Sequence, residues 1–148
     1  MKRICGGVVL VLLILGCGQE PSILGAWTLD ATVGGKPSKG VVTFERDGKY
    51  HSEATVGTPG DVVMITATTR GTWKLVDGRL RVTLEDADWI PSGAPLKEAV
   101  KIHDGFLSRK REILAQYNAE APKPITWNGR DEFSIPGGRS ALTYRRKP

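Results

Sequence analysis

Residues 70–82, RGTWKLVDGRLRV, decide the fold class. Asp77-Gly78 is a two-residue turn in which both positions favour positive φ, the geometry that matches the right-handed twist of flanking strands. Its register sets Leu75 opposite Leu80 and Trp73 opposite Val82 on one face, with Lys74 opposite Arg81 on the other. Turn chemistry and period-two patterning agree, which predicts an antiparallel hairpin with one buried face. Upstream, Val63, Ile65, Ala67, Thr69 and Gly71 continue the face of Trp73, so the first strand is long and bends at Gly71.

Two further hairpins flank this one. In VVTFERDGKYHSEATV (residues 41–56), a three-residue loop Arg46-Asp47-Gly48 with glycine left-handed pairs Phe44 with Tyr50 and Val42 with Ser52. In ITWNGRDEFSI (125–135), Ile125 and Trp127 share a face, as do Phe133 and Ile135, around a polar loop. The break PGG (136–138) precedes a last strand that points Leu142 and Tyr144 one way. Short strands with turn signals at close intervals indicate an all-β sandwich or barrel. One segment differs. From Pro95 to Asn118, Leu96, Ala99, Val100, His103, Phe106, Leu107, Ile113, Leu114 and Tyr117 recur at helical spacing. The expected fold is mainly β: a single small antiparallel up-and-down barrel of about eight strands, with one inserted amphipathic helix at about 95–118.

The N-terminus reads as an export signal over residues 1–16: positive charge at Lys2 and Arg3, then the apolar run Val8–Leu15. Even extended back to Ile4 the run is roughly 12 residues, short of the ~20 needed to cross a bilayer. ILGC (14–17) resembles the lipobox of bacterial lipoproteins. That resemblance implies cleavage before Cys17, a diacylglyceryl thioether on its sulfur and an acylated (typically palmitoyl) amine. Gly18 after the cysteine resembles the sorting pattern for an outer membrane, where the host has two. Residues 17–22 are then the lipidated cysteine and a short tether, and 23–148 the folded domain. Cys5 leaves with the signal, so the domain has no disulfide and must stand on its apolar core.

Losing Lys2 and Arg3 reduces 21 basic residues to 19 against 16 acidic. So mild a surplus, spread along the chain, gives no reason to expect nucleic acid as a partner; Arg139, Arg145, Arg146 and Lys147 make a basic end suited to lipid headgroups.

LGAWTLD (24–30) repeats the Gly-x-Trp of the opening stretch. A first strand carrying GAW (25–27), successive hairpins and an arginine-rich last strand resemble the lipocalins and smaller lipocalin-like bacterial domains. In that family the first-strand tryptophan closes one end of the barrel beneath an arginine of the last strand. The resemblance implies Trp27 and, by parity with Leu142 and Tyr144, Arg146. Trp73 of GTW (71–73) is read as a second barrel-closing residue.

Catalytic signatures are lacking: there is no Gly-x-Ser-x-Gly, no Cys/His pair and no phosphate-binding glycine loop. His51 shares a strand face with Glu53, with Glu45 on the neighbouring strand, a pattern that reads as a solvated outer surface rather than a metal site. The expectation is a non-enzymatic, membrane-anchored envelope lipoprotein without metal or cofactor, holding a small apolar ligand against Phe44, Tyr50 and Phe133 with Phe106 beneath the helix. The alternative is a filled barrel that docks envelope proteins.

Overall fold

The computed structural model describes residues 21–33, 35–58, 63–137 and 141–148. The signal, Cys17, Gly18, Gly138 and Arg139 lie outside them. The chain runs β1 (Gly25–Val33), β2 (Lys36–Phe44), β3 (Lys49–Val56), β4 (Met64–Val76), β5 (Arg79–Ser92), α1 (Leu96–Asn118), β6 (Lys123–Pro124), β7 (Thr126–Trp127), β8 (Glu132–Ile135) and β9 (Leu142–Arg146). The strands form one nearly closed antiparallel barrel in the order β6-β5-β4-β3-β2-β1-β9-β8-β7.

Its seam explains nine strands where about eight were expected. β6 pairs with β5 at one sheet edge and β7 with β8 at the other, and only Ile125 separates them. The Ile125 amide donates to the Gly78 carbonyl at 3.2 Å. A single five-residue stretch therefore passes from one edge to the other and counts as two strands. Merged, they give the up-and-down meander.

Both major hairpins take the registers that their turns dictate. Leu75 faces Leu80 and Trp73 faces Val82 across the Asp77-Gly78 turn, where φ is 51° and 71°. Phe44 faces Tyr50 and Val42 faces Ser52 around the loop with Gly48 at φ 85°. The bend near Gly71 is a β-bulge, and its extra residue sits on the partner strand. Gly71 pairs with Leu84 and Arg70 with Asp86, leaving Glu85 unpaired. Parity on β5 therefore flips: Leu80, Val82 and Leu84 face inward before the bulge, Ala87 and Trp89 after it.

The two Gly-x-Trp copies sit at one level of the wall. Gly25 pairs with Phe44, Phe44 with Tyr50, and Tyr50 with Gly71. The two glycines thus flank an aromatic pair whose ring centroids are 5.6 Å apart. Each tryptophan lies one inward position along its own strand, Trp73 against Phe44 and Trp27 against Phe133 and Trp127.

The helix lies along β5 where β6 no longer covers it, since β6 pairs only with Arg79 and Leu80. Asn118 substitutes for the missing strand: its Nδ2 donates to the Leu84 carbonyl at 2.9 Å, and the Leu84 amide donates to its Oδ1 at 2.8 Å. Asn118 is the last residue of the helix, where the sequence marks its end, and Ala119 is the C-cap. Lys110 pairs with Asp86 at 2.5 Å, holding that carboxyl below the usual range, and His103 meets Asp88 at 3.2 Å. Asn118→Ala leaves both polar groups of Leu84, a buried residue, without their partner. The expected cost is about 1–3 kcal/mol, with faster hydrogen exchange of the Leu84 amide; unchanged exchange there would contradict the edge-capping role.

Candidate functional site

Inward positions form ladders across five strands. The lowest is Gly25–Phe44–Tyr50–Gly71–Leu84; above it runs Trp27–Val42–Ser52–Thr69–Ala87, then Leu29–Gly40–Ala54–Ala67–Trp89. These ladders divide the interior into two regions of different character.

The end at which residues 21–24 enter is a packed floor. Trp27 and Phe133 are fully buried, and Phe44 and Val42 are nearly so. Phe133 meets Trp27 edge-on at 4.7 Å and stacks on Tyr144 at 4.6 Å. Trp73 is half-buried, with its ring edge-on to Phe44 at 5.6 Å and its Nε1 donating to the Glu45 carbonyl at 3.0 Å. Trp27 Nε1 donates to the Ile23 carbonyl at 2.7 Å. The Arg146 guanidinium carbon stands 4.3 Å from the centre of the Trp27 ring. The same group donates to Asp131 at 3.0 Å, to the Leu24 carbonyl at 3.0 Å and to the Ser22 carbonyl at 2.8 Å. Arg146 therefore pins the entering chain across the base of the barrel, using the planar fork that lysine lacks.

Higher up, the wall from β2 to β4 is built of small side chains: Gly40, Ser52, Ala54, Ala67 and Thr69, all partly accessible. Ser52 and Thr69 hydroxyls bond each other at 2.7 Å. Trp89 stacks on Phe106 of α1, with centroids 4.7 Å apart and planes 16° apart. Three tyrosines from three elements approach one another at the boundary between this region and the floor, where Tyr144 stacks on Phe133, Tyr117 lies against Leu80 and Val82, and Tyr50 pairs with Phe44. Burial pushes the Tyr144 phenol up, and the nearby Tyr50 and Tyr117 hydroxyls push it the same way. Burial also raises Tyr117, although the residue as a whole is 38% exposed. The Tyr117 and Tyr144 phenols stay neutral across the physiological range. Among the described residues no fully buried side-chain polar atom lacks a partner. Where Leu80, Val82 and Ile135 meet Tyr117, a cavity of about 30 Å³ remains, room for about one water.

The four residues expected to line a ligand site thus separate. Phe44 and Phe133 belong to the floor, Tyr50 stands half-buried at the boundary, and Phe106 faces Trp89. Trp89 and the convergence of Tyr117 and Tyr144 escape a sequence reading, because the bulge at Glu85 hides the inward parity of Trp89. His51 bonds Glu45 at 3.3 Å on the outer surface, and no group of three potential ligands among the described residues could hold a metal ion. No protein-family model matches the chain, and no curated protein matches it in sequence.

Proposed function

We propose that this chain is a non-enzymatic lipoprotein of the cell envelope, exported by residues 1–16 and anchored through acylated Cys17, whose lipocalin-like barrel holds a small, largely apolar ligand in its upper half. The observation that carries the ligand reading is the division of the interior. Bulky aromatics fill the floor, whereas the ladders above it carry glycine, alanine and serine on three adjacent strands. Gly40 has no room for a side chain, because Glu53 and Ala54 of the neighbouring strand approach it too closely; at Ser52, Ala54 and Ala67 a barrel built only to be filled gains nothing from small residues, since large apolar side chains would pack better. Tyr50, Tyr117 and Tyr144 supply hydroxyls to orient one polar group of an otherwise apolar molecule, a combination common in ligand pockets.

The second reading, a docking module for envelope proteins, draws on one feature. Ile90, Leu96, Val100 and Leu107 are exposed beside a hollow of about 450 Å³ between the end of β5 and α1.

Native mass spectrometry of residues 18–148 incubated with host lipid extract separates the two readings. A stoichiometric adduct is expected, lost on Tyr50→Ala and on Ala54→Trp, which fills the upper wall. A bare mass under gentle conditions would discard the ligand reading in favour of docking. The anchor is tested separately: Cys17→Ala should abolish palmitate labelling and release the protein from membranes.

A further inference from the structure

We infer that the closed end of the barrel docks on an anionic lipid surface, with the tip of the β4–β5 hairpin as its inserting element. The inference rests on the membrane-anchored reading for its setting, and on the following observations for its chemistry.

The hairpin runs past the level at which Gly25, Phe44 and Tyr50 pair, and beyond that level its β4 side has no strand beside it, while β6 and Ile125 flank its β5 side. Leu75 and Val76 are each 44% exposed there, although Leu80 opposite Leu75 is buried. Two exposed aliphatic residues at a hairpin tip cost free energy in water and gain it at a hydrocarbon boundary.

Bases flank the tip. Lys74 pairs with Arg81 across the outer face, and Arg79 stands opposite Val76. An open hollow of about 560 Å³ lies on this face, lined by Thr72, Trp73, Lys74, Val76, Arg81, Thr83 and Pro122. Lys74 and Arg81 are its charged residues, and two threonine hydroxyls accompany them, a set that suits a phosphate group. The same end carries Arg46, Arg130 and Lys147, none with an ion pair among the described residues. Two of its acids are paired locally, Asp47 with Lys49 and Asp131 with Arg146, and Glu45 contacts His51. Asp77 remains at the turn. Arg145, which the sequence placed in the basic end, is consumed by Asp30 and Glu132 at 2.8 and 2.7 Å.

The chain also enters at this end, where Ser22 and Leu24 are bound to Arg146. From Cys17 to Ser22 a tether reaches at most roughly 18 Å at ~3.5 Å per residue. A lipid anchor on Cys17 would therefore hold the basic, hairpin-bearing base against the headgroups and leave the other end of the barrel facing away. Tether and surface charge act together, the two-signal arrangement that stable peripheral attachment needs.

The test uses residues 21–148, which contain the whole barrel and its core and lack Cys17. Vesicles of phosphatidylcholine are compared with vesicles containing about 30 mol% phosphatidylglycerol, at low ionic strength, by flotation. Binding to the anionic vesicles alone is expected. Lys74→Glu with Arg79→Glu should weaken it by at least about fivefold per base removed, and Val76→Asp should weaken it further without lowering the melting temperature. Equal flotation with both vesicle types, or binding indifferent to the double charge reversal, would overturn the inference. Failure here leaves palmitate labelling of Cys17 untouched, and failure of that labelling leaves the vesicle result standing.

Discussion

Trp27→Ala lowers the stability of the barrel by about 3–5 kcal/mol, a drop in melting temperature of roughly 10–20 °C for a domain of this size. The side chain is fully buried at the meeting point of Phe133, Trp127 and Arg146. Its removal opens a cavity among rigid rings that cannot collapse. Two further losses follow. The Ile23 carbonyl loses its donor, and the Arg146 guanidinium loses the ring face beneath it, a contact worth about 0.5–2 kcal/mol. Trp27→Phe keeps part of the volume but not the donor, and should fall between wild type and alanine. At the second copy of the motif, Trp73→Ala should cost less, because Trp73 is only half-buried at the rim of the floor. A Trp27→Ala protein that melts like wild type would remove Trp27 from the core.

Gly71→Ala is the second large effect and is caused by one methyl group. A Cβ built there would overlap the Thr83 carbonyl oxygen and stand 2.9 Å from the Leu84 Cα. Both obstacles are backbone, in the neighbouring strand at the bulge, so nothing can rotate away. Overpacking usually costs about 1–3 kcal/mol; with backbone as the obstacle, about 3 kcal/mol or more is expected, read as a shift in the denaturation midpoint. Gly105→Ala is the control. Its added Cβ meets nothing within 4 Å and lies within α1, so the same chemical change should stabilise by about 0.4–1 kcal/mol. If both variants shifted stability the same way, close backbone approach at Gly71 would be the wrong explanation.

Much of the interior's division is visible residue by residue before folding, but not its consequence. Ala54 and Ala67 alternate with polar neighbours as any half-buried strand does. Only the ladder pairing puts them beside Gly40 and makes a wall of small groups. Phe44 and Phe133 are aromatic and inward, which made them ligand-lining candidates. Their mutual packing at 6.4 Å, together with Trp27 and Tyr144, commits them to the floor instead.

What the chain determines by itself is what short-range physics controls. Asp77-Gly78 and Arg46-Asp47-Gly48 impose positive φ within two or three residues, and a turn so constrained sets the register of both its strands. Helical periodicity over residues 96–118 likewise needs no distant partner to be read, and strand parity alone selects Arg146 over Arg145. Tertiary structure decided everything that depends on accumulated strand stagger around the ring. The unpaired Glu85 turns Trp89 inward; the seam splits at Ile125; Asn118 takes the place of a strand beside Leu84. Each is a solution to closing a tilted barrel. No local propensity encodes such closure, because the residues that meet across it are joined only by the sum of every register between them.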